Sequence, residues 1–293
     1  MKYCLMIAFI FAYANIAVAQ TKVKNKLQEI QCSYEEFVDV IRLTQGISDF
    51  TQEQEKNIHD QYQLQVDYGK LLIAKANKLG VTVTNEEMRK VLEDGTDPVL
   101  KLSPFVNKST GKFDMAMVNK FLDEYHKKKN TSDAKSYNRI YKYWSYLGKT
   151  IRQTKLKEKV VETIKKNGEI FLIKNRNALG IKELPSGVQY KVLKKGNGEI
   201  AGENSVVKVN YEEKTLDGDM IKSTYSSGGA LEVQTMYQYQ GMKDVIMHMP
   251  VGSIWEVYIP QQLAYGTNGL WPYSLIIMKI ELISIIDNDY SLK

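Results

Sequence analysis

The hydrophobic period of this chain changes at Gly187. Upstream, apolar residues return every three or four positions, as in Phe37, Val40 and Ile41, in Ile58, Tyr62, Val66, Leu72 and Leu79, and in Met117, Val118, Phe121, Leu122 and Tyr125. Downstream they alternate with polar residues: Val188, Tyr190 and Val192, then Val207, Val209 and Tyr211. A period of about 3.6 buries one stripe of a helix, and a period of about 2 buries one face of a strand. No single kind of element satisfies both. The sequence therefore predicts an α+β protein with a mostly helical N-terminal domain and a C-terminal antiparallel sheet, strongly bent and wrapped on one short helix near Lys243–Met249.

Local signals mark where the helices begin and end. Ser33 caps a first helix through Glu36, and Gly46 ends it. Thr51-x-x-Gln54 and Thr84-x-x-Glu87 are capping boxes, in which side chain and backbone at the two positions exchange hydrogen bonds. Gly80 closes the helix opened by Thr51, and Asp94-Gly95-Thr96-Asp97-Pro98 breaks the chain. Asp114 caps a further helix. A very long helix is expected from about Asp133 to Lys166, stopped by Asn167-Gly168 and followed by a short helix from Glu169 to Leu179. In the sheet half, Asp217-Gly218 suits a tight turn, and Ile254–Ile259 and Ser274–Ile286 read as strands.

The N-terminus points to export. Lys2 precedes the uncharged apolar run Cys4–Val18, and Ala17-Val18-Ala19 is a small-x-small pattern before Gln20. This predicts a signal peptide over residues 1–19, cleaved before Gln20, with a retained anchor as the alternative; both place the rest of the chain outside the cytoplasm, in the periplasm. No other segment approaches the length of a membrane span. The expected domains are then 1–19 (signal), 20–180 (helical) and 181–293 (sheet). Removing the leader takes Cys4 and leaves Cys32 alone, so stability rests on packing, and the thiol is either idle or paired between chains. The formal charge of +6 sits largely on lysines such as Lys127-Lys128-Lys129, Lys155, Lys157 and Lys159. Export argues against nucleic acid as the partner. A solvated helix face is the simple reading, and attraction to acidic clients or anionic headgroups is the functional one.

The pieces of the C-terminal half occur in a particular order: Leu184-Pro185-Ser186-Gly187-Val188-Gln189-Tyr190, Gly196-Asn197-Gly198, Val209-Asn210-Tyr211, Leu216-Asp217-Gly218, Met249-Pro250-Val251-Gly252-Ser253, Tyr258-Ile259-Pro260 and Leu263-Ala264-Tyr265-Gly266, closing on Leu275–Ile286. In order and spacing this stretch resembles an FKBP-type peptidyl-prolyl isomerase domain. Its connector, Asn175 to Gln189, resembles the linker of macrophage-infectivity-potentiator-like FKBPs, which dimerise through helices ahead of the domain; a homodimer is left open here. Rotation about an X-Pro bond needs no nucleophile, cofactor or metal. The barrier of about 18–20 kcal/mol comes from amide resonance, and a dry apolar pocket disfavours the dipolar planar amide relative to the twisted one. His59, His126 and His248 are isolated, and no metal site is predicted.

The resemblance assigns roles to positions. Tyr265 matches the tyrosine whose hydroxyl donates to the substrate carbonyl, and Tyr211 the tyrosine of the pocket wall. Other matching positions depart from the family. Ile221-Lys222 stands where Phe-Asp is usual, so a cation replaces the aspartate beside the pocket. Met242 stands for the floor tryptophan and Met278 for a phenylalanine of the last strand. Tyr239 takes the place of the residue presenting a backbone donor at the pocket edge. Leu270-Trp271-Pro272 replaces an Ile-Pro-Pro segment in a shortened loop, and Tyr211-Glu212-Glu213 replaces Tyr-x-Gly. Methionines keep such a site apolar and adaptable. Binding is compatible with these changes, and efficient catalysis is left open.

The helical half has its own resemblance. Ala76-Asn77-Lys78-Leu79-Gly80-Val81-Thr82-Val83-Thr84-Asn85-Glu86-Glu87, followed by Gly111-Lys112-Phe113-Asp114, is similar to the chaperone region of SurA- and PpiD-like periplasmic folding factors. Together the two resemblances imply an exported folding factor. Its partners are unfolded or nascent exported polypeptides, and its activity is isomerase and chaperone. The alternatives are a holdase, or a docking subunit, with a degenerate FKBP fold.

Overall fold

The computed structural model describes residues 26–287. The expected leader, residues 1–19 with its cut before Gln20, lies outside them. The protein falls into two compact units that divide between Val160 and Val161.

In the first unit, helices α1 (Tyr34–Gln45), α2 (Gln52–Leu79), α3 (Asn85–Asp94) and α4 (Met115–Lys128) pack with the first part of α5 (Ala134–Asn175). A short hairpin, β1 (Val106–Asn107) with β2 (Lys112–Phe113), precedes α4. Ser33, Thr51 and Thr84 each close a reciprocal capping box, and Gly46, Gly80 and Gly95 end the same helices in the left-handed conformation. Two of those boxes are also tied to α5. Glu36 accepts from Lys149 at 2.9 Å, and Glu87 accepts from Lys159 at 2.5 Å. The lysine and the cap hold the Glu87 carboxyl down at about 2. Lys149 and Lys159 thus tie α5 to the capped starts of α1 and α3 from a partly exposed position, and for Lys159 this corrects the reading of a purely solvated lysine. Cys32 packs with Phe37 and Ile58, and burial pushes its thiol up to about 11.

Helix α5 also corrects the expected stop at Asn167-Gly168. It runs on through both residues to Asn175, and no separate helix begins at Glu169. Gly168 serves packing. A Cβ there would lie 3.2 Å from Leu275 Cβ, so the missing side chain lets the helix approach that segment closely. Beyond it, Phe171 meets the Tyr258 ring at 5.4 Å, and Asn175 donates to Gln189 Oε1 at 3.0 Å.

The second unit is a seven-stranded antiparallel sheet in the order β3 (Ile181–Glu183), β4 (Gln189–Lys194), β8 (Ile254–Ile259), β9 (Ile276–Asp287), β5 (Val206–Thr215), β6 (Met220–Ser223), with β7 (Leu231–Gln234) also pairing β5. Strands β6 and β7 share one edge of β5: β7 takes Val206–Val209 and β6 takes Glu212–Lys214. The other edge of β5 pairs with β9 along its whole length. Helix α6 (Gln240–Ile246) begins three residues earlier than the sequence indicates, with Tyr239 as its N-cap, and buries Gly241, Met242, Val245 and Ile246. The core joins this helix face to Val207, Val209, Tyr211, Trp255, Val257, Met278, Ile280 and Leu282 of the sheet. Burying each such large apolar side chain contributes about 1.5–3 kcal/mol. No helix of the described residues is long and apolar enough to cross a membrane.

Candidate functional site

Strand β5 alternates strictly, and Val207, Val209, Tyr211, Glu213 and Thr215 face inward. One of these five is a carboxylate. Glu213 is 1% exposed. Its backbone lies opposite Met278 on β9 and opposite Lys222 on β6, and Met278 in turn lies opposite Val257 on β8. A single row across four strands thus runs Val257, Met278, Glu213, Lys222.

A buried carboxylate needs hydrogen-bond donors. Two phenols supply them. Tyr239, the N-cap of α6, donates to Glu213 Oε1 at 2.5 Å. Tyr265, from the turn after β8, donates to Glu213 Oε2 at 2.8 Å. The two rings lie 5.3 Å apart, tilted by 48°. Burial first, and then the Glu213 charge, push both phenols well above their usual range. Lys222 Nζ lies 5.3 Å from the centre of the Tyr211 ring. Hydrogen bonding to the Tyr211 hydroxyl is the main influence raising this ammonium, and the Glu213 charge adds to it. Thr224 fixes this corner: its Oγ1 accepts from Tyr211 N at 3.0 Å, and its own N–H donates to Tyr211 O at 2.9 Å.

The positions assigned by resemblance fall into three groups. Tyr211, Met242 and Met278 belong to the buried core, with Tyr239 packed against it; Met242 is 1% exposed and Met278 is 0%. Tyr265 is 38% exposed and joins this group through Glu213, as Lys222 does through Tyr211. Ile221, 43% exposed on β6, and Trp271, half-buried in the loop after Gly266, do not pack into the buried cluster. The residue that organises the site, Glu213, stands in the sequence only as a departure from Tyr-x-Gly and was given no role there. The alternation Val207, Val209, Tyr211 already pointed it inward.

Chemically, this is an apolar floor edged by phenols, with a buried carboxylate that accepts from two of them and an ammonium set over the Tyr211 ring. A phenol carries one proton, and both phenol protons here are directed at Glu213. While those bonds stand, Tyr239 and Tyr265 offer lone pairs and no donor to an incoming carbonyl.

Comparison with known proteins gives the following. Residues 198–283 match the model of the FKBP-type peptidyl-prolyl cis-trans isomerase, and residues 100–192 match the domain amino terminal to FKBP-type peptidyl-prolyl isomerases. The peptidyl-prolyl cis-trans isomerase Mip of Coxiella burnetii is 38% identical over 119 residues, covering 39% of this chain and 52% of that protein. The outer membrane protein MIP of Legionella longbeachae is 37% identical over 131 residues, covering 43% and 56%. The chain thus spans about half the length of these relatives. Among solved structures, FkpA from Escherichia coli aligns with a TM-score of 0.48 at 19% identity, covering 83% of this chain and 100% of that one.

Proposed function

From a chain that carries an FKBP-type peptidyl-prolyl cis-trans isomerase domain behind a helical amino-terminal region, we propose an exported protein-folding factor that holds Pro-containing polypeptide segments and turns their X-Pro bonds with weakened catalysis. One observation carries this reading. Tyr211, Tyr239, Tyr265, Met242 and Met278 gather where β5, β9, α6 and the turn after β8 meet, inside the stretch matched to the isomerase. An apolar floor with phenols at its edge suits the proline ring and its flanking amide, and desolvation of that amide lowers the barrier to rotation. Tyr265, the exposed phenol, is the group placed to meet the substrate carbonyl. Export is supported by the apolar stretch within residues 1–19 and by the name of the Legionella longbeachae relative. The helical unit is proposed to retain client chain.

The rival reading is a non-catalytic holdase or docking subunit. It is favoured by the commitment of both phenol protons to Glu213. A protease-coupled assay on a Pro-containing peptide separates the two when run beside an aggregation assay on an unfolded client. The proposal expects acceleration of cis-to-trans conversion together with suppressed aggregation. Suppressed aggregation at the uncatalysed rate supports the rival, and neither effect contradicts both.

A further inference from the structure

We propose that Glu213 is a latch on the site, a positioning residue whose carboxylate withholds the hydroxyl protons of Tyr239 and Tyr265 and so sets how fast the domain turns X-Pro bonds. This rests on the isomerase reading above. The carboxylate is almost wholly buried, and each of its oxygens accepts from one phenol. For Tyr265 to donate to a substrate carbonyl, its hydroxyl must rotate away and leave Glu213 Oε2 without that donor in a dry environment. Stranding a buried charged acceptor is costly, and hydrogen bonds to charged groups are among the stronger ones. The cost falls on the encounter with substrate, because the resting protein keeps both bonds. Lys222 does not relieve it, since its ammonium sits over the Tyr211 ring face and makes no ion pair with Glu213.

The latch also accounts for the shape of the resting site. Tyr239 and Tyr265 come from chain segments on either side of β8, and Glu213 draws both onto β5. Beneath Tyr239 the methionine floor is sealed from solvent. A segment that reaches the floor must part the two phenols from the carboxylate. Substrate binding and release of the phenol protons are therefore one event.

The test compares the full chain with Glu213→Gln and Glu213→Ala. Glutamine keeps the shape but is uncharged, so its carbonyl competes less well for the phenol protons. Alanine removes the acceptor altogether. The expected result is a rise in kcat/KM for a Pro-containing peptide of about ten-fold or more in Glu213→Ala, carried mainly by a lower KM, with a smaller rise in Glu213→Gln. Spectrophotometric titration should show two phenols ionising at lower pH in both variants than in the parent chain, a shift that a purely structural role would not produce. Folded variants with unchanged or lower kcat/KM overturn the latch. A parent chain and variants that all fail to bind the peptide, by chemical-shift perturbation, overturn the isomerase reading itself and the latch with it.

Discussion

Gly241→Ala is expected to weaken the sheet unit by about 3 kcal/mol, the upper end of the usual cost of overpacking a core. Gly241 lies in the first turn of α6, against β8. A Cβ there would come within 2.2 Å of Ile259 Cγ2 and 2.9 Å of Leu263 O. The isoleucine is fully buried and the second clash is with backbone, so neither neighbour can turn aside. Alanine's better helix propensity returns only about 1 kcal/mol. Relief requires α6 to move off the sheet, which also draws its N-cap Tyr239 away from Glu213. Hydrogen exchange followed by mass spectrometry is the direct check. Amides of β8 and β9 should lose protection by about two orders of magnitude. Unchanged protection would mean that the helix does not seat on the sheet through this glycine.

The second large effect is expected at Lys222. Its position is where an FKBP-type domain usually carries aspartate, so Lys222→Asp looks at first like a repair. The register argues the opposite. Lys222 and Glu213 are direct cross-strand partners, and Glu213 is already a buried anion. Like charges directly opposite one another destabilise a sheet, and the substitution also removes the nearby cation. Lys222→Asp should therefore lose about 1 kcal/mol, whereas Lys222→Met, at this exposed position, should change stability by less than about 0.5 kcal/mol. Adding Glu213→Ala to Lys222→Asp removes the repulsion, so the double variant should be more stable than the sum of the two single changes predicts. Coupling between contacting groups typically amounts to about 0.5–3 kcal/mol. Urea unfolding of the four chains measures it, and additive effects would show that the two residues do not sense each other.

What could be read from the sequence followed the range of each interaction. Capping boxes at Ser33, Thr51 and Thr84 and the cap at Asp114 involve only a few consecutive residues, and all four stand in the structure. The alternation on β5 was equally plain, because burial of one face imposes it. Gly168 misled because a glycine that ends a helix and one that admits a close neighbour look the same in sequence. Only the approach of Leu275, more than a hundred residues later, tells them apart. Glu213 was half legible. Its inward direction follows from the period, but the phenols that satisfy it lie 26 and 52 residues further along. Lys159 and Glu87, 72 residues apart, were hidden for the same reason.

The central claim is that proline-containing segments reach the floor formed by Met242 and Met278. Methyl NMR of methionine-labelled full chain tests it most directly, because both side chains are sealed in the resting protein. Addition of a Pro-containing peptide should shift the Met242 and Met278 methyl resonances, and the same peptide with alanine in place of proline should leave them in place. A peptide that binds while both resonances stay fixed, or that perturbs only Met115 and Met117 of the helical unit, would contradict the account.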